Sequence, residues 1–545
     1  MLSARRFVAA GETLMHNGKE RLVITRIQPI GATRRTALAG LAITSGLVGS
    51  ALASPPPEHA WTRYYSGPAG FYNNAKAAAT DNAGNVYVTC ESATGIGSAW
   101  ATVKYSPSGV KQWERRYVNL ANGSDRPGGL FVAPDGNVIV WGISDGSGTW
   151  QDYAVAKYAA ADGAIIWQTR IDAGSTDGPS AAALDAAGDV YITGQSYSGV
   201  DYDWLTAKLD GSTGAILWSE SIDGVSGGPD GINDAATAIA VDSAGNAYVT
   251  GWVQVSYDYS EEYNIYAYGA AKYDTNGNGQ WFVVLGDEND PGQPTQIAVA
   301  GDGNVVLTGQ KYPVNTYKLN ASSGSVMWEN DYQGPGGVGA FPYAIGTAPD
   351  GDVIVTGSVC AGSPFCDESH ATWKLDNADG SIVWDSTYTA PEGDRAGGSA
   401  RAMTIDADGN VMTTGFYIYF GRPGPAVTRF ITAAGEERWI DIYLGDAPGA
   451  ASTDAVNFGI AYAPSSKALY TVGTEGRASA SFMTTVKYPT VCPADYDLSG
   501  FVDFDDFNKF VIDFELGIDA ADFDGSGFVD FDDFNAFVQA FEIAC

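Results

Sequence analysis

A short unit of Gly-Asn/Asp-Val-Tyr/Ile-Val-Thr character returns every 48 to 58 residues along most of this 545-residue chain. It reads Gly84-Asn85-Val86-Tyr87-Val88-Thr89, Gly136-Asn137-Val138-Ile139-Val140 and Gly188-Asp189-Val190-Tyr191-Ile192-Thr193. It begins again at Gly245, Gly303, Gly351 and Gly409, and a worn copy spans Lys467 to Gly473. Fixed-period self-similarity marks an array whose units bury their apolar faces against their neighbours. Each unit continues with a strand ending at Lys104, Lys157, Lys208, Lys272, Lys318, Lys374 or Lys487, with Arg429 substituting once. A Gly-bearing turn then leads to a strand carrying Trp113, Trp167, Trp218, Trp281, Trp328, Trp384 or Trp439. With the apolar strand before each Gly, of which Thr237-Ala238-Ile239-Ala240-Val241 is the clearest, that makes four strands per unit.

Four-stranded units repeated around a ring predict an all-β propeller, whose closure protects the strand edges. The eighth unit stops after Lys487-Tyr488 without its tryptophan strand, and Trp61-Thr62-Arg63-Tyr64-Tyr65 is an unattached strand of the missing kind. Trp61 is therefore expected to complete the last blade. The reading is eight blades over residues 54–490, with seven as the alternative should the worn unit pack differently. Asp-Asn-Ala-Gly-Asn-Val-Tyr-Val-Thr followed by Lys-Tyr-Ser-Pro-Ser-Gly resembles the seven-residue-core propeller repeat of bacterial surface and secreted proteins. Asp210-Gly211-Ser212-Thr213-Gly214-Ala215-Ile216-Leu217-Trp218 resembles the tryptophan-docking repeat of quinoprotein propellers. A quinoprotein dehydrogenase would imply a propeller-bound calcium and an adjacent Cys-Cys pair, and no two cysteines are adjacent here.

The last 54 residues hold a second duplication. Asp495, Asp497, Ser499, Phe501 (through its carbonyl), Asp503 and Asp506 fall at positions 1, 3, 5, 7, 9 and 12 of a twelve-residue loop, with Gly500 at position 6. Asp522, Asp524, Ser526, Phe528, Asp530 and Asp533 repeat the pattern 27 residues later. Six to eight oxygens at about 2.3–2.6 Å are what calcium takes from such a loop, so two calcium ions are expected. Each loop is followed by apolar residues at helical spacing: Phe507, Phe510, Val511, Phe514, and Phe534, Phe537, Val538, Phe541. A loop and one helix, twice over, resembles a dockerin domain, here residues 491–545. The resemblance implies that loop positions 10 and 11, Phe504-Asp505 and Phe531-Asp532, select the partner. The resemblance implies a cohesin-like or other cell-surface protein as partner, but dockerins of known cohesins usually carry small hydroxyl residues at these positions, and Phe-Asp departs from that code. Flanking Cys492 and Cys545 resemble the planctomycete variety of this module and imply a disulfide. Cys360 and Cys366, six apart in one loop, are the second disulfide candidate, which leaves Cys90 as a buried small residue.

Residues 1–53 are read as an export signal, removed after Ala53. Residues 1–35 carry a net +5, and Arg34-Arg35 permits a twin-arginine signal, although an ordinary secretory signal fits the same residues. Without them the charge moves from −34 to −39, which argues against nucleic acid as a partner. No later run is long and apolar enough to span a bilayer. The expected location is therefore outside a bacterial cell, secreted or on its surface.

The propeller shows little chemistry in sequence. Asp81, Asp135, Asp185, Asp242, Asp302, Asp350 and Asp406 all fall in the turn before the repeated Gly, so they are expected to serve the blades. His370 is read as a strand or loop residue, Asp274–Gly279 as a plain hairpin turn, and the insert Tyr257–Tyr268 as a binding loop for glycan or protein or a longer hairpin. The leading expectation is a non-catalytic scaffold. The alternatives are a glycoside hydrolase, which needs only two well-placed carboxylates, or a carbohydrate-binding propeller.

Overall fold

The computed structural model describes residues 7–16, 19–29, 59–117, 123–146, 150–223, 233–258, 263–287, 290–310, 314–334, 339–360, 368–389, 396–419, 422–445, 455–477, 480–489, 504–516, 521 and 529–543. The chain divides into two units, Met1–Leu52 and Ala53–Cys545. In the first, Phe7–His16 pairs antiparallel with Lys19–Pro29. The sequence reading assigned no secondary structure here. The β-branched run Val23-Ile24-Thr25 accounts for the pairing, and a lone two-stranded hairpin is marginal in water.

The second unit contains eight four-stranded antiparallel sheets. Blades 1 to 7 occupy residues 73–117, 126–171, 177–222, 235–285, 293–332, 340–388 and 396–443, each with its strands in chain order from the inside out. Blade 8 takes three strands from residues 455–489, and its fourth is Trp61–Tyr65, paired from Trp61 opposite Lys487 to Tyr65 opposite Met483. Eight blades, not seven, are present, and the first propeller strand closes the ring as its sequence implied. The seam is apolar: Trp61, Tyr470, Val472 and Met483 share one buried cluster with Val86, Val88 and Val103 of blade 1.

A repeated contact joins neighbouring blades. In blade 1, Trp113 Nε1 and Lys104 Nζ both donate to the Ala160 carbonyl of blade 2, at 3.0 and 2.9 Å. In blade 2, Trp167 and Lys157 share the Gly211 carbonyl of blade 3, at 3.2 and 2.7 Å. The pairs Trp281–Lys272 on Ala321, Trp328–Lys318 on Asn377 and Trp61–Lys487 on Pro107 repeat the arrangement. Each accepting carbonyl lies in the turn between the third and fourth strands of the next blade. The tryptophan ring lies on that turn's glycine, which has a positive φ. A Cβ added to Gly214 (φ 74°) would stand 2.6 Å from Trp167 Cε3.

Lys157 and Lys318 are buried, as are Lys208 and Lys374 at the same position of two other blades, so their charge must be met locally. The turn aspartates meet it. Asp135 lies 2.7 Å from Lys157, Asp302 lies 2.7 Å from Lys318, and Asp350 contacts Lys374. Asp81, Asp185, Asp242 and Asp406 sit at a different place in the same turn, accepting the amides two and four residues on.

Blade 7 corrects the sequence pattern. Opposite Trp439 stands Phe430, where other blades place lysine opposite tryptophan. Arg429 is one residue earlier and therefore on the other face of the strand. It is wholly buried and donates to Ser386 Oγ and Glu437 Oε2, both at 2.8 Å.

The stacked turn can be isolated experimentally. Alanine in the left-handed region costs about 1–2 kcal/mol, and overpacking adds about 1–3 kcal/mol. Gly136 has a φ of 80° but nothing within 4 Å of its missing Cβ. Gly214→Ala is expected to lower the denaturation midpoint clearly more than Gly136→Ala, measured by chemical denaturation of the two variants in parallel.

Candidate functional site

The tail forms two helices, α1 (Phe504–Leu516) and α2 (Phe531–Ile543). The predicted apolar faces meet: Phe507, Phe510, Val511 and Phe514 pack with Phe534, Phe537 and Phe541 around Ala521 and Val529. Phe510 and Phe537 stack with ring centroids 4.0 Å apart. Both helices then present the same contrast at their starts. Asp506 and Asp533, the position-12 carboxylates, are fully buried, whereas Phe504 and Phe531 are 71% and 75% exposed. Asp533 Oδ2 accepts the backbone amide of Asp530 at 2.7 Å. Asp495, Asp497, Ser499, Phe501, Asp503, Asp522, Asp524, Ser526, Phe528, Cys492 and Cys545 lie outside the described residues, as do the side chains of Asp505 and Asp532.

The propeller residues singled out by sequence prove mostly structural. His370 is wholly buried on the strand Glu368–Leu375, and burial, then the charge of Arg429, pushes it down to about 3. Cys90 is buried and free, and burial pushes its thiol far above the usual range. Cys360 is disulfide-bonded, and Cys366 lies outside the described residues. The Asp274 turn is a plain hairpin turn whose Thr275 carbonyl receives Trp218 Nε1 at 3.2 Å. The tyrosine-rich insert extends the hairpin Ala247–Asp258 and Tyr263–Tyr273, with Trp252 edge-on to Tyr266. Around the first three blades the inner-strand turns line a cavity of about 590 Å³, with Asp81, Asn82, Pro134 and Asp185 on its wall.

Asp203 is the carboxyl that sequence reasoning missed. It sits at the start of the third strand of blade 3 (Tyr202–Leu209), and burial, then the charges of Asp201 and Asp223, push it up to about 6. A signal existed. The position five residues before the repeated lysine is acidic in blades 2 and 3 alone (Asp152 and Asp203), whereas blades 1, 4 and 6 have Ala99, Ala267 and Ser369.

Against known proteins, residues 261–486 match the family profile of outer membrane protein assembly factor BamB. The match begins in the fourth blade and spans less than half of the chain. Quinohemoprotein alcohol dehydrogenase ADHIIG from Pseudomonas putida HK5 is similar in fold, at 12% identity over 79% of this chain and 76% of that one, with a TM-score of 0.50. Quinohemoprotein alcohol dehydrogenase from Comamonas testosteroni gives 13% identity, 78% and 76% coverage, and a TM-score of 0.49. BamB from Moraxella catarrhalis gives 14% identity, 70% and 97% coverage, and a TM-score of 0.35. No match is found among curated proteins. At these identities the likeness is one of fold, and a propeller fold hosts many activities.

The raised Asp203 has a pH consequence. A carboxyl raised on folding lends stability while protonated. That stability is full below the unfolded value near 4 and is lost as pH rises through about 6. Asp203→Asn, neutral throughout, is expected to raise the melting temperature by on the order of 1 °C at about pH 7.5. Calorimetry across pH should show the gain vanishing below about pH 4.

Proposed function

We propose that this chain is an exported, non-catalytic propeller scaffold, fastened to a cohesin-like or other cell-surface protein by a calcium-loaded, dockerin-like tail. The observation that carries the reading is the duplicated contrast at the helix starts: a buried carboxylate two residues after an exposed phenylalanine, in both copies. Burying two carboxylates in so small a core demands a strong positive counterpart. The donors offered by the two loops are all hard oxygens, which fits calcium. Lys509 is the tail's single basic residue, against 14 Asp and Glu, and it is bound to Asp513 at 2.8 Å. Calcium would let the loops close without mutual repulsion. The two phenylalanines then hold corresponding places in the two copies as exposed apolar anchors, the kind of residue that dominates a protein interface. The propeller itself supplies a binding surface for glycan or protein.

One observation favours hydrolysis as a second reading. Asp203, raised to about 6, has the character of a general acid. A glycan screen of the protein and its Asp203→Asn variant decides between them, since the scaffold reading expects turnover from neither.

The tail reading predicts separable effects. Asp506→Asn with Asp533→Asn should reduce the calcium bound by the full chain by two ions in equilibrium dialysis. Phe504→Ala with Phe531→Ala should leave calcium binding unchanged and abolish calcium-dependent attachment to the cell-surface fraction. Unchanged calcium binding in the first variant would sink the reading.

A further inference from the structure

Three carboxylates converge where blade 2 hands the chain to blade 3. Asp152 stands second in the strand Gln151–Tyr158 of blade 2. Asp172 follows the outer strand Ile165–Ile171 of the same blade, and Asp177 opens the inner strand Asp177–Leu184 of blade 3. Each offers one oxygen, and the three oxygens lie within 4.8 Å of one another. An all-carboxylate oxygen set suits a hard cation, and the flexible, water-completed shell of calcium accepts three such oxygens without ideal octahedral geometry. We propose that Asp152, Asp172 and Asp177 bind a calcium ion that staples blade 2 to blade 3.

A cluster of acids is not by itself a metal site, and here a second observation points to a ligand. Asp177 is fully buried. Its Oδ2 accepts the amides of Ala173 and Gly174, at 2.8 and 3.2 Å, while its Oδ1 has no hydrogen-bond partner. A buried carboxylate oxygen left without a donor is costly, and a cation would satisfy it. Charge points the same way. Asp152 is buried against the guanidinium of Arg170, which also holds Ser144 Oγ at 2.6 Å. Arg170 offsets one of the three negative charges and leaves two, the charge of one divalent cation. Because Asp172 faces solvent, the ion would have an entry path and room for water to complete its shell.

The site is independent of the tail and can be measured beside it. The test uses the full chain stripped with chelator and dialysed against about 1 mM calcium, enough to fill sites with a Kd near 10⁻⁴ M. In a background carrying Asp506→Asn and Asp533→Asn, one bound calcium should remain, and adding Asp152→Asn with Asp177→Asn should remove it. Loss of one ion on adding that pair supports the site whatever the tail does, and an unchanged count overturns it. The exposed Asp172→Asn variant guards against a folding failure. It should keep the native circular dichroism spectrum and bind the propeller calcium at least tenfold more weakly. Calcium should also raise the melting temperature of the tail-silenced protein, and the Asp172→Asn variant should lose most of that rise. Unchanged affinity in a folded Asp172→Asn protein would likewise overturn the proposal.

Discussion

One backbone oxygen shared by a lysine and a tryptophan is the contact on which the propeller depends. A carbonyl has two lone pairs, and in five junctions both are used, one by Nζ and one by Nε1 from the preceding blade. The geometry needs a turn tight enough to lay its carbonyl beneath the indole, which is why the turn carries a positive-φ glycine. It also needs a charged lysine in a buried place, which is why an aspartate recurs in the inner-strand turn. Blade 8 shows the dependence from the other side. Its turn, Pro464-Ser465-Ser466, has no aspartate, and burial alone pushes the Lys487 ammonium below its usual range. In blade 3, by contrast, burial opposes the Lys208 ammonium but Tyr191, Asp189 and Asp185 outweigh it and push it up.

The contact fails at the junction where it cannot form. Between blades 7 and 8 there is no turn to receive a tryptophan, because the third and fourth strands of blade 8 come from opposite ends of the propeller sequence. Lysine is lost there together with the carbonyl it would have bonded, and Phe430 takes its place. Trp439 instead stacks on Tyr488, with ring centroids 5.7 Å apart. Tyr488 and His59 both reach Asp441, at 2.7 and 2.9 Å. Aromatic stacking and a short polar relay thus replace the shared carbonyl, and the two sequence deviations of blade 7, Phe430 and Tyr488's partner Asp441, serve one seam.

The fold was legible because its period is long and its punctuation strict. Trp61 could be assigned to blade 8 from sequence, since it supplied the one strand type the eighth unit lacked. Arg429 was misassigned for an equally physical reason. Counting cationic residues along a strand cannot detect a one-residue offset, and in a strand that offset reverses the face. The helical faces of the tail followed from spacing, as did the plain turn at Asp274. The cluster of Asp152, Asp172 and Asp177 did not, because its members sit on three successive pieces of chain whose proximity exists only after blades 2 and 3 pack. Deviation from the repeat is the signal that marks Asp152, because the turn aspartates recur from blade to blade and an acidic residue at its position does not.

Repetition itself explains where such sites can arise. Residues that recur through most blades are engaged in the contacts between blades and their counter-charges, so they are not free to acquire a ligand. Function must be written in the residues that differ between blades or stand outside them. Two places stand out by the same electrostatic measure, a surplus of carboxylates over the cations placed to meet them: the tail, with Lys509 as its one base, and the blade 2–3 junction, with Arg170 as its guanidinium. On the proposed reading both surpluses are answered by calcium. The free energy of binding then becomes free energy of folding for the tail and of blade-to-blade rigidity for the propeller. A propeller tightened by the same ion that closes its tail would be stiff only when it is also able to dock, which couples the scaffold to its attachment without any contact between the two sites.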